Sequence, residues 1–222
     1  SEILLSAKNL SMRFGGVLAV NGVSFDVRKG EVFTLIGPNG AGKTTVFNLI
    51  SRLYTPTSGE IFFEGRNLTH APPHEIASMG IARTFQNIEL FEHASVLHNL
   101  LVGRHTHRST GLWSEIFFTG KTRAAEIAAR EHVERVIDLL DLQHYRDSMV
   151  AGLPYGVRKV VELARALSTG PKMLLLDEPS SGLNVEETGD MAFWIKDIQH
   201  ELGITVLMVE HDMSLVSKVS DR

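Results

Sequence analysis

Cysteine is absent from the 222 residues. That excludes disulfides and cysteine-ligated metal sites, and it fits a reducing compartment. No apolar run approaches the ~20 residues that a helix needs to cross a bilayer. The first residues, Ser1-Glu2-Ile3-Leu4-Leu5, lack the basic start and long apolar stretch of a signal peptide. Charge of one sign is missing as well: 26 acidic against 22 basic side chains leave −4, so the chain as a whole offers no electrostatic case for nucleic acid. There is no internal repeat and no low-complexity tract. The ten histidines show no metal-like grouping. His70 and His74 are four apart, yet Pro72 and Pro73 between them argue against one helix face. These absences lead us to expect a cytoplasmic chain whose membrane role, if it has one, comes through partners. The composition that remains, 43% hydrophobic and 22% charged, suits a soluble protein of one large domain, or of one domain with a subdomain.

Against that background residues 37 to 44 stand out. Gly37-Pro38-Asn39-Gly40-Ala41-Gly42-Lys43-Thr44 is a complete Walker A phosphate loop. Its glycines let the backbone wrap closely and aim consecutive N–H groups at phosphate oxygens; Lys43 supplies a cation for the β- and γ-phosphates, and the Thr44 hydroxyl a ligand for Mg²⁺. The run Glu31 to Ile36 before the loop suits a buried strand. After it Val46, Ile50 and Leu53 recur at i, i+4 and i+7, which predicts a helix pointing its positive N-terminal dipole at the anion.

A phosphate loop alone does not make a hydrolase, because Mg²⁺ must be held and a water activated. Lys172-Met173-Leu174-Leu175-Leu176-Asp177-Glu178-Pro179 answers both needs. The apolar run reads as a buried strand, and its two carboxylates fall at the carboxyl end, where ligands bind in open α/β sheets. Asp177 would face Mg²⁺ as a Walker B aspartate does. Glu178, on the opposite side of the strand, would polarise the attacking water. Alone, an apolar run ending in Asp-Glu is equally a solvated turn; beside a Walker A loop the chemical reading leads.

Along the chain, Leu4 to Arg13, Val20 to Val27, Val32 to Ile36 and Glu60 to Glu64 read as strands, with turns at 28–30 and 55–59. From about 95 to 169 the pattern is helical. Thr122 to Leu142 carries Ile127, Val133, Val136, Ile137 and Leu140 on one side, with the pairs Glu126/Arg130 and Glu131/Arg135 on the other. Val160, Leu163, Ala164 and Leu167 mark a second helix. Then strand Lys172 to Leu176, helix Glu186 to Leu202, strand Ile204 to Val209 and a helix from Asp212 restore a β/α alternation. Two α/β stretches around a helical block suggest a parallel-sheet core with an inserted helical subdomain. The segment 104–121, polar but containing Leu112, Trp113, Ile116, Phe117 and Phe118, reads as a loop or short helix that packs on the subdomain or contacts a partner. The stop at Asp221-Arg222, soon after His211, reads as an unfinished domain.

With these motifs in this order, the whole chain resembles the nucleotide-binding domains of ATP-binding cassette (ABC) transporters. The match runs through Walker A at 37 to 44, Gln86 in Thr84-Phe85-Gln86-Asn87, a signature-like stretch from Leu153, Walker B at 172 to 178, and His211. The resemblance implies one α/β domain over residues 1–222. Its P-loop NTPase core has a mostly parallel sheet and an N-terminal antiparallel β subdomain (1–86 and 171–222), with an inserted helical subdomain (87–170). It implies ATP and Mg²⁺ as cofactors, bound by Gly37, Pro38, Asn39, Gly40, Ala41, Gly42, Lys43, Thr44 and Thr45, with Thr44, Gln86 and Asp177 on the metal. Glu178, His211 and Gln86 would be the catalytic residues. Gln86 would contact Mg²⁺ and the lytic water and report nucleotide state to the membrane partner; a surface polar role is the alternative. His211 would bind the γ-phosphate and help to hold Glu178; a structural histidine is the alternative. Phe14, before Gly15-Gly16, is placed to stack on adenine or to serve as a core aromatic. Ser180 to Asn184 sits where the family's D-loop crosses the dimer axis. Partners would be a second ABC ATPase subunit, identical or not, integral-membrane permeases and an extracytoplasmic solute-binding protein, with no nucleic acid. The protein would then sit in the cytoplasm, peripheral on the inner face of the membrane.

The signature departs from the family. Leu-Ser-Gly-Gly-Gln becomes Leu153-Pro154-Tyr155-Gly156-Val157, and Pro154 removes a hydroxyl and a backbone donor from the partner's γ-phosphate. Gly156 and the following helix N-terminus remain for the anion. A charge-assisted hydrogen bond is worth about 1.5–3 kcal/mol, so its loss weakens the composite site by about one to two powers of ten without abolishing it. Gly80 to Gln86, the aromatic insertion after Gly103, Tyr155-Gly156 and Gly182-Leu183-Asn184 resemble the ATPase subunits of branched-chain (hydrophobic) amino acid importers. The expected function is therefore an ATPase driving such uptake. Its rivals are an ATPase of another system such as lipopolysaccharide export, an ABC ATPase acting on DNA or ribosomes, and a nucleotide-gated module with little turnover. The apolar residues Phe85, Ile88, Leu90, Phe91 and Val96 are read either as a socket for a permease coupling helix or as core.

Overall fold

The structure is a computed structural model that describes residues 2–37, 42–84, 90–107 and 120–222. It divides into two compact units, residues 1–86 with 172–222, and residues 87–171. Pro38, Asn39, Gly40, Ala41 and Gln86, together with Phe85, Ile88 and the aromatic residues 112–118, lie outside the described residues.

The first unit holds two sheets. In one, β1 (Ile3–Phe14), β2 (Val17–Arg28), β4 (Ser58–Phe63) and β5 (Arg66–Asn67) pair antiparallel in the order β2-β1-β4-β5. In the other, β3 (Val32–Ile36), β6 (Ile81–Thr84), β7 (Met173–Asp177) and β8 (Thr205–Glu210) run parallel in the order β3-β8-β7-β6. Every residue of β7 and β8 is buried. This is why Met173 to Leu176 is a continuous apolar run with no alternation: a parallel strand covered on both faces has no wet side. Register is the consequential feature. Ile36 is level with Glu210, and Asp177 with Val209, so Gly37, Glu178 and His211 all leave the sheet at its carboxyl edge.

Between the sheets' apolar faces packs α1 (Lys43–Ile50), through Val46, Phe47, Leu49 and Ile50, all in one core cluster with Leu5, Leu10, Ile61, Leu175 and Val209. The predicted continuation to Leu53 is corrected: the helix ends at Ile50, and Leu53 is half exposed. The reason is Arg52, which adopts a left-handed φ of 62°. Its buried guanidinium donates to the carbonyls of Ala71 (3.0 Å) and Tyr54 (2.8 Å) and to Thr55 Oγ1 (3.1 Å), which bends the chain away. A short helix, α2 (Pro73–Ser78), starts with proline in its first turn and contains His74 but not His70. Beyond β7, α6 (Val185–Leu202) begins with a reciprocal capping box between Asn184 and Glu187. Asp212 caps α7 (Met213–Val219) by accepting from the N–H groups of Ser214 and Leu215.

The second unit is helical: α3 (Val96–His107), α4 (Gly120–Leu139) and α5 (Tyr155–Ser168). Val133, Val136 and Ile137 of α4, and Leu140 just beyond its end, are buried as their spacing predicts, and so are Val160, Leu163, Ala164 and Leu167 of α5. Ile127 is a correction, being 53% exposed. Six residues before Val133, it falls about 120° round the helix, and Ala129 takes the inward position. Val96 belongs to the core, whereas Phe91 is exposed and lies under the Arg165 guanidinium, 5.4 Å from its carbon. Among the described residues of the apolar stretch, Val96 is therefore core and Phe91 is not. Asn99, fully buried, holds the segment before α3 by accepting from the Phe91 N–H (2.7 Å) and donating to the carbonyls of Phe91 and Ser95.

The last strand edge is tied down by two carboxylates. Burial raises the pKa of Asp221, but the Val32 N–H, the Gln199 amide and the charges of Lys196 and His200 outweigh it and leave the group below its ordinary value. Glu31 is lowered in the same way: burial is outweighed by bonds from Arg222 and the Arg28 N–H and by their charges. A lowered carboxylate stabilises the fold above its unfolded pKa, and that stability disappears as pH falls through the folded value. Asp221→Asn should therefore lower the melting temperature at pH 7 and lose its effect in the acid range below the unfolded aspartate pKa of about 3.9. Because the side chain is partly exposed, screening holds the difference to about 1 kcal/mol or less. Melting curves of both proteins across that range check it.

Candidate functional site

The phosphate loop feeds directly into α1, whose N-cap is Gly42 at φ 86°. A Cβ there would lie 2.4 Å from the Ala19 carbonyl oxygen and meet Val20, so both conformation and space demand glycine. Next in the chain, Lys43 is buried, and its ammonium donates to the carbonyl of Gly37 and, at 3.5 Å, to that of Glu210. It is thus held by the main-chain oxygens of Gly37 and Glu210. An open cavity of about 360 Å³ is lined by Val17, Leu18, Ala19, Gly42, Lys43, Thr44, Thr45 and Glu178, a size suited to a small-molecule ligand. The fold thus brings the described part of Walker A together with Glu178, a residue far away in sequence, on one wall.

Glu178 follows β7 with a left-handed φ of 48°, an uncommon conformation for a non-glycine residue and a mark of functional strain. Its N–H still extends the ladder to Val209 O at 2.9 Å, while the turn separates its side chain from that of Asp177. His211 Nδ1 comes to 3.4 Å from Glu178 Oε1 and 3.8 Å from Glu210 Oε1. Glu178 and His211 are therefore neighbours, and the imidazole is half exposed.

Asp177 is buried. Its Oδ2 accepts from Arg83 Nη2 at 2.8 Å, and Arg83 also donates to Asn48 Oδ1 (2.8 Å) and lies 5.5 Å from the Phe47 ring centroid. Arg83 lies in β6 and Asn48 on α1, so one guanidinium ties β6, β7 and α1 together at the carboxylate. Sequence reasoning quoted Arg83 within Gly80 to Gln86 but gave it no role. A buried carboxylate must have a cationic or hydrogen-bonded partner, and that need was the available signal. Glu210 was passed over likewise, as were Val17 to Ala19, whose exposure shows only once β2 is placed beside α1. Phe14 is not core: it is 40% exposed and meets Tyr54 edge-on, ring centroids 5.1 Å apart.

In the second unit, Pro154 is the N-cap of α5 and gives no side-chain cap bond; Tyr155 is exposed and Gly156 half-buried at the start of the helix. The donor set of the first unit fits a magnesium nucleotide. Lining the cavity, Thr44 would offer Mg²⁺ a hard oxygen ligand, Lys43 the phosphate cation, and Gly42 a backbone approach closed to any side chain; Asp177 carries such an oxygen but is not among the lining residues. Gly42→Ala should cut nucleotide affinity by about tenfold or more, equivalent to about 1.4 kcal/mol. Titration with a fluorescent ATP analogue measures this.

Comparison with known proteins agrees with this geometry. The family model described as "ABC transporter" matches residues 20–181. The high-affinity branched-chain amino acid transport ATP-binding protein BraF of Pseudomonas aeruginosa is 42% identical over 221 residues, covering 100% of this chain and 87% of its own. LivG of Salmonella typhimurium, named for the same transport, is 42% identical over 222 residues with the same coverage. Among solved structures, the ADP conformation of an ATP-binding cassette of an ABC transporter superposes with a TM-score of 0.83 at 31% identity, covering 99% of this chain and 85% of that one.

Proposed function

The chain belongs to the ABC transporter family, and on that premise we propose that it is the ATP-hydrolysing subunit of an importer for branched-chain or other hydrophobic amino acids. The observation that carries the ATPase reading is Glu178 on the wall of the cavity formed by Gly42, Lys43 and Thr44. The solute is taken from the names of the relatives identical at 42% over the whole chain.

In this reading residues 1–222 make one nucleotide-binding domain, with 87–170 as its helical insertion. Lys43 and the main chain of Gly37 to Thr45 hold the ATP phosphates, and Phe14 stacks on adenine. Thr44, Asp177 and Gln86 hold Mg²⁺, which when bound neutralises charge on the phosphates. Glu178 accepts a proton from the water whose oxygen attacks the γ-phosphorus. The bond from that phosphorus to the β–γ bridging oxygen breaks, leaving ADP and phosphate. His211 contacts the γ-phosphate and keeps the Glu178 carboxylate in place. Gly156 and the start of α5 serve the ATP of a second ATPase subunit, with the D-loop, Ser180 to Asn184, at the dimer axis. Among the described residues no helix is long and apolar enough to cross a membrane. We therefore assign attachment at the inner face of the membrane to permease subunits, supplied with solute by an extracytoplasmic binding protein.

Two substitutions test the chemistry. Glu178→Gln should bind ATP as the wild type does and hydrolyse it about a hundredfold or more slowly, as removal of a general base does; an unchanged rate removes Glu178 from the mechanism. Lys43→Ala should weaken ATP binding by about tenfold or more, since a charge-assisted contact is lost; undiminished affinity overturns the phosphate-loop assignment. For the solute, cells lacking the chain should lose uptake of labelled leucine, restored by the wild type and not by Glu178→Gln.

A further inference from the structure

Glu210 closes β8 and has no exposed surface. A carboxylate is costly to bury unless its oxygens are satisfied, and here the satisfaction is divided. Oε2 accepts from the Ser180 N–H at 3.1 Å and from the Ser180 hydroxyl at 2.9 Å. Oε1 accepts from the N–H groups of His211 (2.9 Å) and Asp212 (3.1 Å). One oxygen thus serves the turn that follows Glu178, and the other the segment that begins with His211. The first turn is otherwise closed by short bonds of its own, Ser181 N–H to Glu178 O and Leu183 N–H to Ser180 O, both 3.0 Å. Four donors fill the acceptor sites of the two oxygens, and a neutral amide would present two N–H groups to donors. An apolar side chain in this place would strand those donors. A planar two-sided acceptor is what joining two loops requires.

We propose that Glu210 is a positioning residue that couples the turn after Glu178 to the His211 segment, so that the two groups facing the γ-phosphate and its water move as one unit. The proposal rests on the ATPase reading above. It also extends it, because Ser180 opens the segment assigned to the dimer axis, and through Glu210 a shift of that segment reaches His211. The main-chain carbonyl of Glu210 meets the Lys43 ammonium, a contact that side-chain substitution leaves in place. Nucleotide binding should therefore survive where turnover does not.

The test uses the full-length chain with its membrane partners. Glu210→Gln should keep KM for ATP within about twofold and lower kcat about tenfold or more, the pattern of an interaction needed only in the transition state. In a His211→Ala background the same change should cost less than about threefold more, since residues acting as a unit are non-additive. Unchanged kcat, a parallel rise in KM, or full additivity overturns the proposal. Should Glu210→Gln fail to fold, Ser180→Ala removes one of the four bonds and keeps the backbone donor, and the same split between kcat and KM is expected of it. A measurement without turnover separates this idea from the ATPase reading. Ser180→Ala should speed amide exchange of His211 and Asp212 about threefold or more while leaving Leu175 unchanged. Unaltered exchange at 211 and 212 refutes the coupling even if the wild type hydrolyses ATP. Altered exchange with no wild-type hydrolysis supports the coupling and refutes the ATPase reading alone.

Discussion

The parallel register of β3, β8 and β7 is the constraint on which the site depends. Pairing Ile36 with Glu210 and Asp177 with Val209 brings three chain segments out of one sheet edge within reach of each other, though Gly37 lies far from Glu178 and His211 in the sequence. A one-residue slip would turn each strand's side chains to the opposite face and carry Asp177 away from Arg83. The register is held by burial: β7 and β8 have no exposed residue, and each fully buried aliphatic side chain contributes about 1.5–3 kcal/mol. The chemistry at the edge therefore rests on apolar strands that have no part in it.

At that edge the molecule uses acidic and basic side chains in three ways. Lys43 is held by main-chain oxygens, Asp177 is held by a guanidinium, and Glu210 joins two loops by hydrogen bonds alone. Glu178 and His211 differ in keeping exposed surface. The buried groups set geometry, and the pair at the surface keeps contact with solvent.

Much of this was legible in the residue order. The phosphate loop, the Asp177-Glu178 pair and the strands around them are local patterns, since the spacing of glycines, a lysine and an apolar run follows from chemistry within a few residues. Val32 to Ile36 was read to the residue because a short apolar run bounded by turns has few alternatives. The helix after the loop was overextended to Leu53, because periodicity does not reveal that Arg52 finds acceptors at Ala71, Tyr54 and Thr55. Ile127 was misplaced because an apolar residue in an amphipathic helix is credited to the nearest face until packing partners are known. Arg83 and Glu210 went unrecognised for the same reason: each has its meaning only in its partners, and those come from other segments.

By itself the sequence determined the class of ligand, the family resemblance and the order of elements, all of which depend on neighbours along the chain. Only the tertiary structure decided that Glu178 shares a cavity with Lys43, that Arg83 restrains Asp177, and that one buried carboxylate joins Ser180 to His211. These are through-space facts, created when parallel strands from distant stretches are set side by side, and no local spacing encodes which of them will be neighbours.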